Sequence, residues 1–401
     1  MKVTSVATFP LRVPQPTGEV YWGARAWGTD QESRAGSYPP EARRRYIYSP
    51  TIDTVLVRVE TSDGTVGWGE CKAPVAPGVT AALVDELLAP LVVGTSLDEI
   101  VVTWERMYAA MRVRGHDAGF WLEALSGVDI ALWDARGRAL GQPLHALLGG
   151  AFRDAVPVYA SGIPATAAAG VSAVRAEAER LAGQGWTSVK VAVGVDPEGD
   201  LATVRIVREV LPPPARVFVD AAGAYDVRQA LYVGRRLEEL DVGFFEMPIP
   251  PEQVEGYALL ASRLDVPLAL DSLSTRQEAL SFLRAGALHV LQPDVCRAGG
   301  ITETMRIATL ADVFGAVATP HVSIGSAVHL AASLQCAAAM PNLTVMEHWI
   351  GENPLARSVA PDLDEVTDGV RRVGPAPGLG INVDEAAVRG MSAEREPGSR
   401  A

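Results

Sequence analysis

Three short apolar runs in the middle of the chain each end on an acid. Val217-Phe218-Val219 leads to Asp220, Gly243-Phe244-Phe245 to Glu246, and Leu268-Ala269-Leu270 to Asp271. The acids are about 25 residues apart, with a helix-like segment between each pair. That is the rhythm of successive strand–helix–strand units. Each run then reads as a parallel strand carrying one carboxylate at its C-terminal end. Neighbouring strands lie ~4.8 Å apart, so the three carboxylates are expected to converge. Bare carboxylates that close repel one another, and a bound cation relieves the repulsion. An all-oxygen donor set points to Mg²⁺ or Mn²⁺ rather than zinc. Such a cation is a Lewis acid: it can hold a substrate carboxylate and stabilise the enediolate formed when an α-proton leaves.

The acids need a base beside them, and the rest of the chain supplies candidates. Strand-like segments occur at 156–160, 188–193, 216–220, 243–246, 267–271, 288–292, 316–319 and 344–346, with helical segments between. Eight such units predict an α/β fold, a (β/α)8-type (TIM-like) barrel with its active site at the C-terminal strand ends. An open doubly wound sheet fits less well, because no Gly-rich phosphate loop follows the first strand. At or just beyond the eight ends stand Ser161, Lys190, Asp220, Glu246, Asp271, Asp294, His321 and Glu347. Seven are ionisable; Ser161 reads as a plain strand end. His321 and Asp294 follow adjacent strands and can hydrogen-bond, the Asp fixing the imidazole tautomer. Lys190 can pair with a substrate carboxylate or move a proton. Glu347, if protonated, can donate a hydrogen bond to an enediolate. None of the six histidines forms the His-x-His pair of a zinc hydrolase barrel, and Ser323-Ile324-Gly325-Ser326 is a poor phosphate loop.

Composition narrows the partners. The 401 residues are 48% hydrophobic and 21% charged, as in a globular protein with one large and one smaller domain. A net charge of −13 disfavours nucleic acid and anionic membranes, and leaves a small carboxylate substrate open. Cys71, Cys296 and Cys336 form no disulfide framework. The start lacks a signal core and no apolar run reaches the ~18 residues of a membrane span, so the expected location is cytoplasmic. Residues 1–119 read as an α+β cap. Within it, Ser62-Asp63-Gly64 marks a hairpin, 79–112 are helical, and 15–50 form an aromatic flap. Trp22, Trp27, Tyr46 and Tyr48 of the flap, with Lys72, are the expected substrate contacts. Residues 120–350 are the barrel, beginning with a helical pattern that runs from 120 to 148 and ends at Gly149-Gly150. Residues 351–391 return to the cap, with a short strand at 381–383, and 392–401 read as a disordered tail. The apolar stretch 327–339 reads as core helix. A homo-oligomer is expected.

Several motifs resemble the enolase superfamily, in its mandelate racemase-like branch. They are Asp63-Gly64-Thr65-Val66-Gly67-Trp68-Gly69-Glu70, the run from Ala124 through Asp129 to Trp133-Asp134, Leu147-Leu148-Gly149-Gly150, Gln292-Pro293-Asp294 with Gly299-Gly300-Ile301-Thr302, and Thr319-Pro320-His321. Residues 242–391 are similar to the acid-sugar dehydratases and sugar-lactone cycloisomerases of that branch. The resemblance implies a capped barrel with one essential Mg²⁺ on Asp220, Glu246 and Asp271, an Asp294–His321 dyad, Glu347 as hydrogen-bond donor, and cap loops that close over the substrate. The chain also departs from the pattern. The family's Lys-x-Lys is Lys190-Val191-Ala192, its Asp-x-Asn is Asp220-Ala221-Ala222, a Glu that often follows the second ligand is Met247, and strand five reads Asp271-Ser272. Without the second Lys, racemisation lacks a base on one face. The expectation is dehydration by syn β-elimination from a hydroxy or sugar acid with His321 alone. Lactone cycloisomerisation is the alternative. The three replacements together also allow a silent ligand-binding homologue.

Overall fold

The computed structural model of the chain describes residues 1–14, 49, 51–164, 169–361 and 365–393. β1 (Val3–Pro14), β2 (Thr51–Thr61) and β3 (Val66–Cys71) form an antiparallel sheet in that order. The β2–β3 turn follows from its residues. Gly64 adopts φ 82°, which a residue without Cβ takes at little steric cost, and Asp63 Oδ1 accepts a hydrogen bond from Thr61 Oγ1 at 2.5 Å. Helices follow: Pro77–Leu83 runs through a π turn at Val84–Leu88 into Ala89–Val92, and then comes Ile100–Arg112.

The helix Phe120–Leu140 lies directly on this sheet. Glycines allow the approach: a Cβ on Gly69 would stand 1.9 Å from the Gly127 carbonyl oxygen, and one on Gly127 would stand 2.3 Å from Cys71 Sγ. The helix ends earlier than its apolar pattern predicts. Gly141 takes a left-handed φ of 63° and Pro143 disfavours helical backbone before it, so only one further turn forms, at Leu144–Leu147.

The barrel is as expected, eight parallel strands: β4 (Ala155–Ile163), β5 (Ser188–Ala192), β6 (Arg216–Asp220), β7 (Val242–Glu246), β8 (Leu268–Leu270), β9 (Val290–Leu291), β10 (Val317–Ala318) and β11 (Met346–Trp349). Their order is β10-β9-β8-β7-β6-β5-β4-β11. The ring closes through a parallel bridge from Ala318 to Leu343 and a hydrogen bond from the Glu347 N–H to the Pro320 carbonyl at 3.2 Å. The last strand starts two residues later than the apolar run suggested, so Glu347 lies within it. Residues 381–383 form no strand; the returning strand is β12 (Val370–Arg372), antiparallel to β4. The helix Glu385–Ala393 then reaches the cap, where Glu385 pairs with Arg58 at 3.1 Å. Ala327–Ala339 is a buried core helix.

Two acids of the Phe120–Leu140 helix join the parts. Asp129 accepts the Thr302 N–H at 2.9 Å and its hydroxyl at 2.7 Å, capping the barrel helix Gly300–Val313. Asp134 accepts backbone N–H groups of Trp68 and Leu379 at 2.9 and 2.8 Å. If the glycine contact sets this packing, Gly127→Val lowers stability by about 1–3 kcal/mol or more, through overpacking against Cys71. Urea unfolding measures it, and an unchanged midpoint would refute the close approach.

Candidate active site

Side chains two apart on a strand share a face, so the barrel interior fills in layers. Tyr159, Phe218, Phe244, Ala269, Val290 and Val345 form the lower layer. Phe218 stacks on Phe244 with ring centroids 4.2 Å apart, and Tyr159 packs edge-on against both. Two residues further along the chain from each, on the strand or just past its end, stand Ser161, Asp220, Glu246, Asp271, Gln292 and Glu347. The polar layer begins where the aromatic plug ends.

Lys190 sits between the two layers, 1% exposed. Its Nζ is 2.8 Å from Glu347 Oε1, 2.9 Å from Glu246 Oε2 and 3.6 Å from Asp220 Oδ2. Burial alone would lower its pKa, but Glu246 and Glu347 outweigh burial and raise it well above the usual value. Lys190 is therefore an ammonium held by acids rather than a free base. Asp220 and Glu246 are in register across β6 and β7, and Asp271 follows β8 directly. Glu246 Oε2 also accepts from Gln292 Nε2 at 2.9 Å.

The expected convergence of the three acids is incomplete. Among the described residues, Asp294, Cys296 and His329 are the one group of His, Cys, Asp or Glu whose donor atoms all lie within 4.8 Å of one another. Lys190 and Gln292 hold Glu246, while Asp271 Oδ2 lies 3.6 Å from His321 Nε2. The acids nevertheless fit a hard divalent cation. Glu246 Oε1 and Asp271 Oδ1 are buried without a hydrogen-bond partner, a state that positive charge would relieve. Burial, and then the charge of Asp220, raise the Glu246 pKa.

His321 follows β10, and its Nδ1 lies 2.9 Å from Asp294 Oδ2. Burial would raise the Asp294 pKa, but His329, His321 and Lys72 hold it well below the usual range. Burial would lower the His321 pKa, and Glu347, Asp294 and Asp271 instead raise it to about 9. His321 Nε2 faces Asp271 and Glu347, whose Oε2 is 3.5 Å away. Glu347 differs from the protonated donor implied by the resemblance. Burial favours its acid form, but Lys190 and His321 prevail and lower its pKa. It is a carboxylate here, and accepts the Val322 N–H at 2.9 Å.

The cap reaches this site through the end of β3. Glu70 accepts from Thr54 Oγ1 at 2.7 Å, the Ser326 N–H at 2.8 Å, Ser326 Oγ at 2.5 Å and the His329 N–H at 2.9 Å. Its charge thus sits at the N-terminus of Ala327–Ala339, where free N–H groups need acceptors. Lys72, expected to touch substrate, is 7% exposed. Its Nζ donates to Ser323 Oγ and, at 2.8 Å, to the Ile324 carbonyl, and it lies 4.0 Å from Asp294 Oδ2. Trp22, Trp27, Tyr46 and Tyr48 lie outside the described residues. Sequence reasoning missed Gln292, Glu70 and His329. Period-two spacing from Val290 would have found Gln292. Nothing in local spacing links His329, on a helix, to Asp294.

A parallel barrel with a polar mouth, closed by an antiparallel cap, defines a class of two-part barrel enzymes. Residues 173–387 match the family described as enolase C-terminal domain-like, and residues 49–149 match the mandelate racemase / muconate lactonizing enzyme N-terminal domain. The chain belongs to the enolase superfamily, in that branch. It is 36% identical over 346 residues to D-galactarolactone cycloisomerase of Agrobacterium fabrum, covering 83% of this chain and 90% of that one. It is 33% identical over 334 residues to arabinonate dehydratase of Saccharolobus solfataricus, covering 83% and 88%. A solved enolase-superfamily member from Agrobacterium tumefaciens matches with TM-score 0.86 at 30% identity, over 96% of this chain and 98% of that one. A racemase from Streptomyces coelicolor A3(2), solved with bound magnesium, matches with TM-score 0.82 at 25% identity, over 97% and 99%. Among the described residues no helix is long and apolar enough to cross a membrane.

The charge pattern predicts a pH-dependent response to metal. His321 at about 9 is above its ordinary 6.5, and Glu246 is above its ordinary 4.5. A group raised on folding stabilises fully below its unfolded pKa, and that contribution is lost as pH rises through its folded pKa. Both groups therefore weaken the metal-free protein as pH rises from 4.5 towards 9. Added Mg²⁺ should raise Tm more on the alkaline side of this window than on the acid side, where protons compete for the carboxylates. Glu246→Gln should abolish the difference. Equal Mg²⁺ shifts at both ends, in a thermal scan, would count against the acid cluster as the metal site.

Proposed function

We propose that the protein removes the proton alpha to the carboxylate of a hydroxy or sugar acid and eliminates water, with His321 as base and then acid. The observation that carries this reading is the 2.9 Å pairing of His321 Nδ1 with Asp294, which leaves Nε2 turned to the barrel mouth. Asp294 takes the Nδ1 proton as a hydrogen bond, so in the neutral ring Nε2 is the atom that accepts. With the His321 pKa raised to about 9, that neutral form grows as pH rises towards 9, and the exchange rate should rise with it. Nε2 removes the α-proton, and the electrons of that C–H bond pass into the substrate carboxylate as an enediolate. The enediolate then forms the Cα–Cβ double bond as the β C–O bond breaks. Nε2 returns its proton to the departing hydroxide, and water leaves. One group on one face performs both transfers, which makes the elimination syn.

The opposite face supports a single-base mechanism. Ala192 is buried and has no proton to exchange, and Lys190 is held as an ammonium by three acids. A divalent cation on Asp220, Glu246 and Asp271, when bound, supplies Lewis-acid stabilisation of the negative charge on the substrate. Lactone cycloisomerisation is the second reading, favoured by the 36% identity to a cycloisomerase. It needs the same α-proton transfer at His321.

The test is a library of sugar acids, their lactones and aromatic hydroxy acids in heavy water with Mg²⁺. Wild type should exchange an α-proton and yield a product lighter by one water. His321→Asn should lower both rates by about 10²–10⁴-fold. A product of unchanged mass selects cycloisomerisation. Full activity in His321→Asn, or no exchange with any acid, defeats the proposal.

A further inference from the structure

Asp294 meets two histidines, and the proposed reaction uses one of them. His329 is 0% exposed, and its Nε2 lies 3.1 Å from Asp294 Oδ1. His321 Nδ1 faces the other oxygen, Oδ2, at 2.9 Å. Oδ1 also accepts the Cys296 N–H at 2.8 Å. We propose that His329 is a positioning residue: with a proton on Nε2 it pins Asp294 Oδ1 and so fixes the plane in which Oδ2 receives the His321 N–H. The inference rests on the reading of His321 as the base.

The tautomer follows from the surroundings. Neither ring nitrogen of His329 makes a hydrogen bond of full angular geometry, but Nε2 stands 3.1 Å from Asp294 Oδ1 and Nδ1 has no such neighbour. A proton placed there alone would leave the bare Nε2 lone pair facing a carboxylate 3.1 Å away, and buried lone pairs repel. On Nε2 the proton meets an anion, which makes a charge-assisted contact. Cys296 completes a possible thiolate, imidazole and carboxylate metal set, but burial raises its thiol well above the usual pKa. A proton fills the gap between His329 and Asp294 more easily than a cation does.

Orientation is what Asp294 lacks without His329. A carboxylate turns readily about its last torsion, which has broad wells. The Cys296 N–H, two residues away, restrains one oxygen from one side. His329 comes from a separate element, Ala327–Ala339, and adds the second restraint. Its own place is set by the cap, because its backbone N–H donates to Glu70 Oε2 at 2.9 Å. Cap, helix and dyad form one chain of contacts, and His329 touches no reacting atom.

Two measurements test this on the full-length, Mg²⁺-loaded protein. Histidine-selective isotope labelling with long-range proton–nitrogen NMR reads the His329 ring, assigned through His329→Gln. A proton on Nε2 is expected; a proton on Nδ1 alone overturns the proposal, whatever the protein turns over. The second measurement is kinetic. His329→Leu should lower kcat for α-proton exchange by about 10²-fold with KM nearly unchanged, while His329→Gln, whose amide can also donate to Oδ1, should retain most of it. Equal losses in the two variants, or a loss confined to KM, refute it. His329→Asn, too short to reach Oδ1, replaces the Leu variant if that one does not fold. If no acid is exchanged, the proposed function fails, and the tautomer still decides the role of His329.

Discussion

Buried negative charge at the barrel mouth is the constraint on which the site depends. Asp220, Glu246, Asp271, Asp294 and Glu347 stand on or just past five different strands, and water reaches few of their oxygens. Charges in that setting persist only with partners close by. Lys190 serves three of the acids, and His321 bridges three. Every pairing joins residues of different strands, some of them neighbours, as in Lys190–Asp220 and His321–Asp294, so no strand carries a balanced charge by itself. Two oxygens, on Glu246 and Asp271, are left buried without a hydrogen-bond partner, a state that added positive charge would relieve.

The same constraint separates acids that could work from acids that join. Glu70, Asp129 and Asp134 are fully buried. Each takes backbone N–H groups from another part of the chain, so each has its donors supplied by the fold. Glu70 brings the cap to the helix that follows the His321 loop. Trp104 adds a tie from the cap helix Ile100–Arg112, donating its indole N–H to the Gly299 carbonyl at 2.7 Å. An acid whose oxygens are filled by backbone N–H groups is a joint. One with a bare buried oxygen is a candidate ligand.

The chain's departures from its family fall in the same ring. Ala222 and Met247 have φ of 47° and 39°, values uncommon for residues with a Cβ. They stand just past Asp220 and Glu246. Backbone strain of this kind persists where surrounding contacts over-determine it. The Gly223 N–H donates to the Met247 carbonyl at 2.6 Å and the Met247 N–H to the Ala269 carbonyl at 3.0 Å, which hold these turns against the next strand. Met247 is buried with Val219, Phe245 and Ile249 in the core between strands and helices, which holds the turn past Glu246 from the other side.

Much of the fold was legible in the sequence because its signals are local. Apolar runs of strand length, repeated with helical spacing, placed eight strands and the acids at their ends. Asp63-Gly64 placed the hairpin, and the offset between Asp294 and His321 placed them on neighbouring strands. Where two local signals competed, the reading slipped: the apolar pattern past Leu140 ran on through Gly141, and that at 344–346 stopped short of the strand holding Glu347. Other features had no local signal. His329 meets Asp294 only because a helix packs there, and Gln292 serves Glu246 from two strands away. Charge states were furthest from the sequence. Residue type alone left Lys190 a possible base and Glu347 a possible acid; the ammonium and the carboxylate were decided by neighbours from other strands. Periodicity is a property of adjacent residues, whereas a buried pKa depends on every charge nearby, and only the closed barrel determines which charges those are.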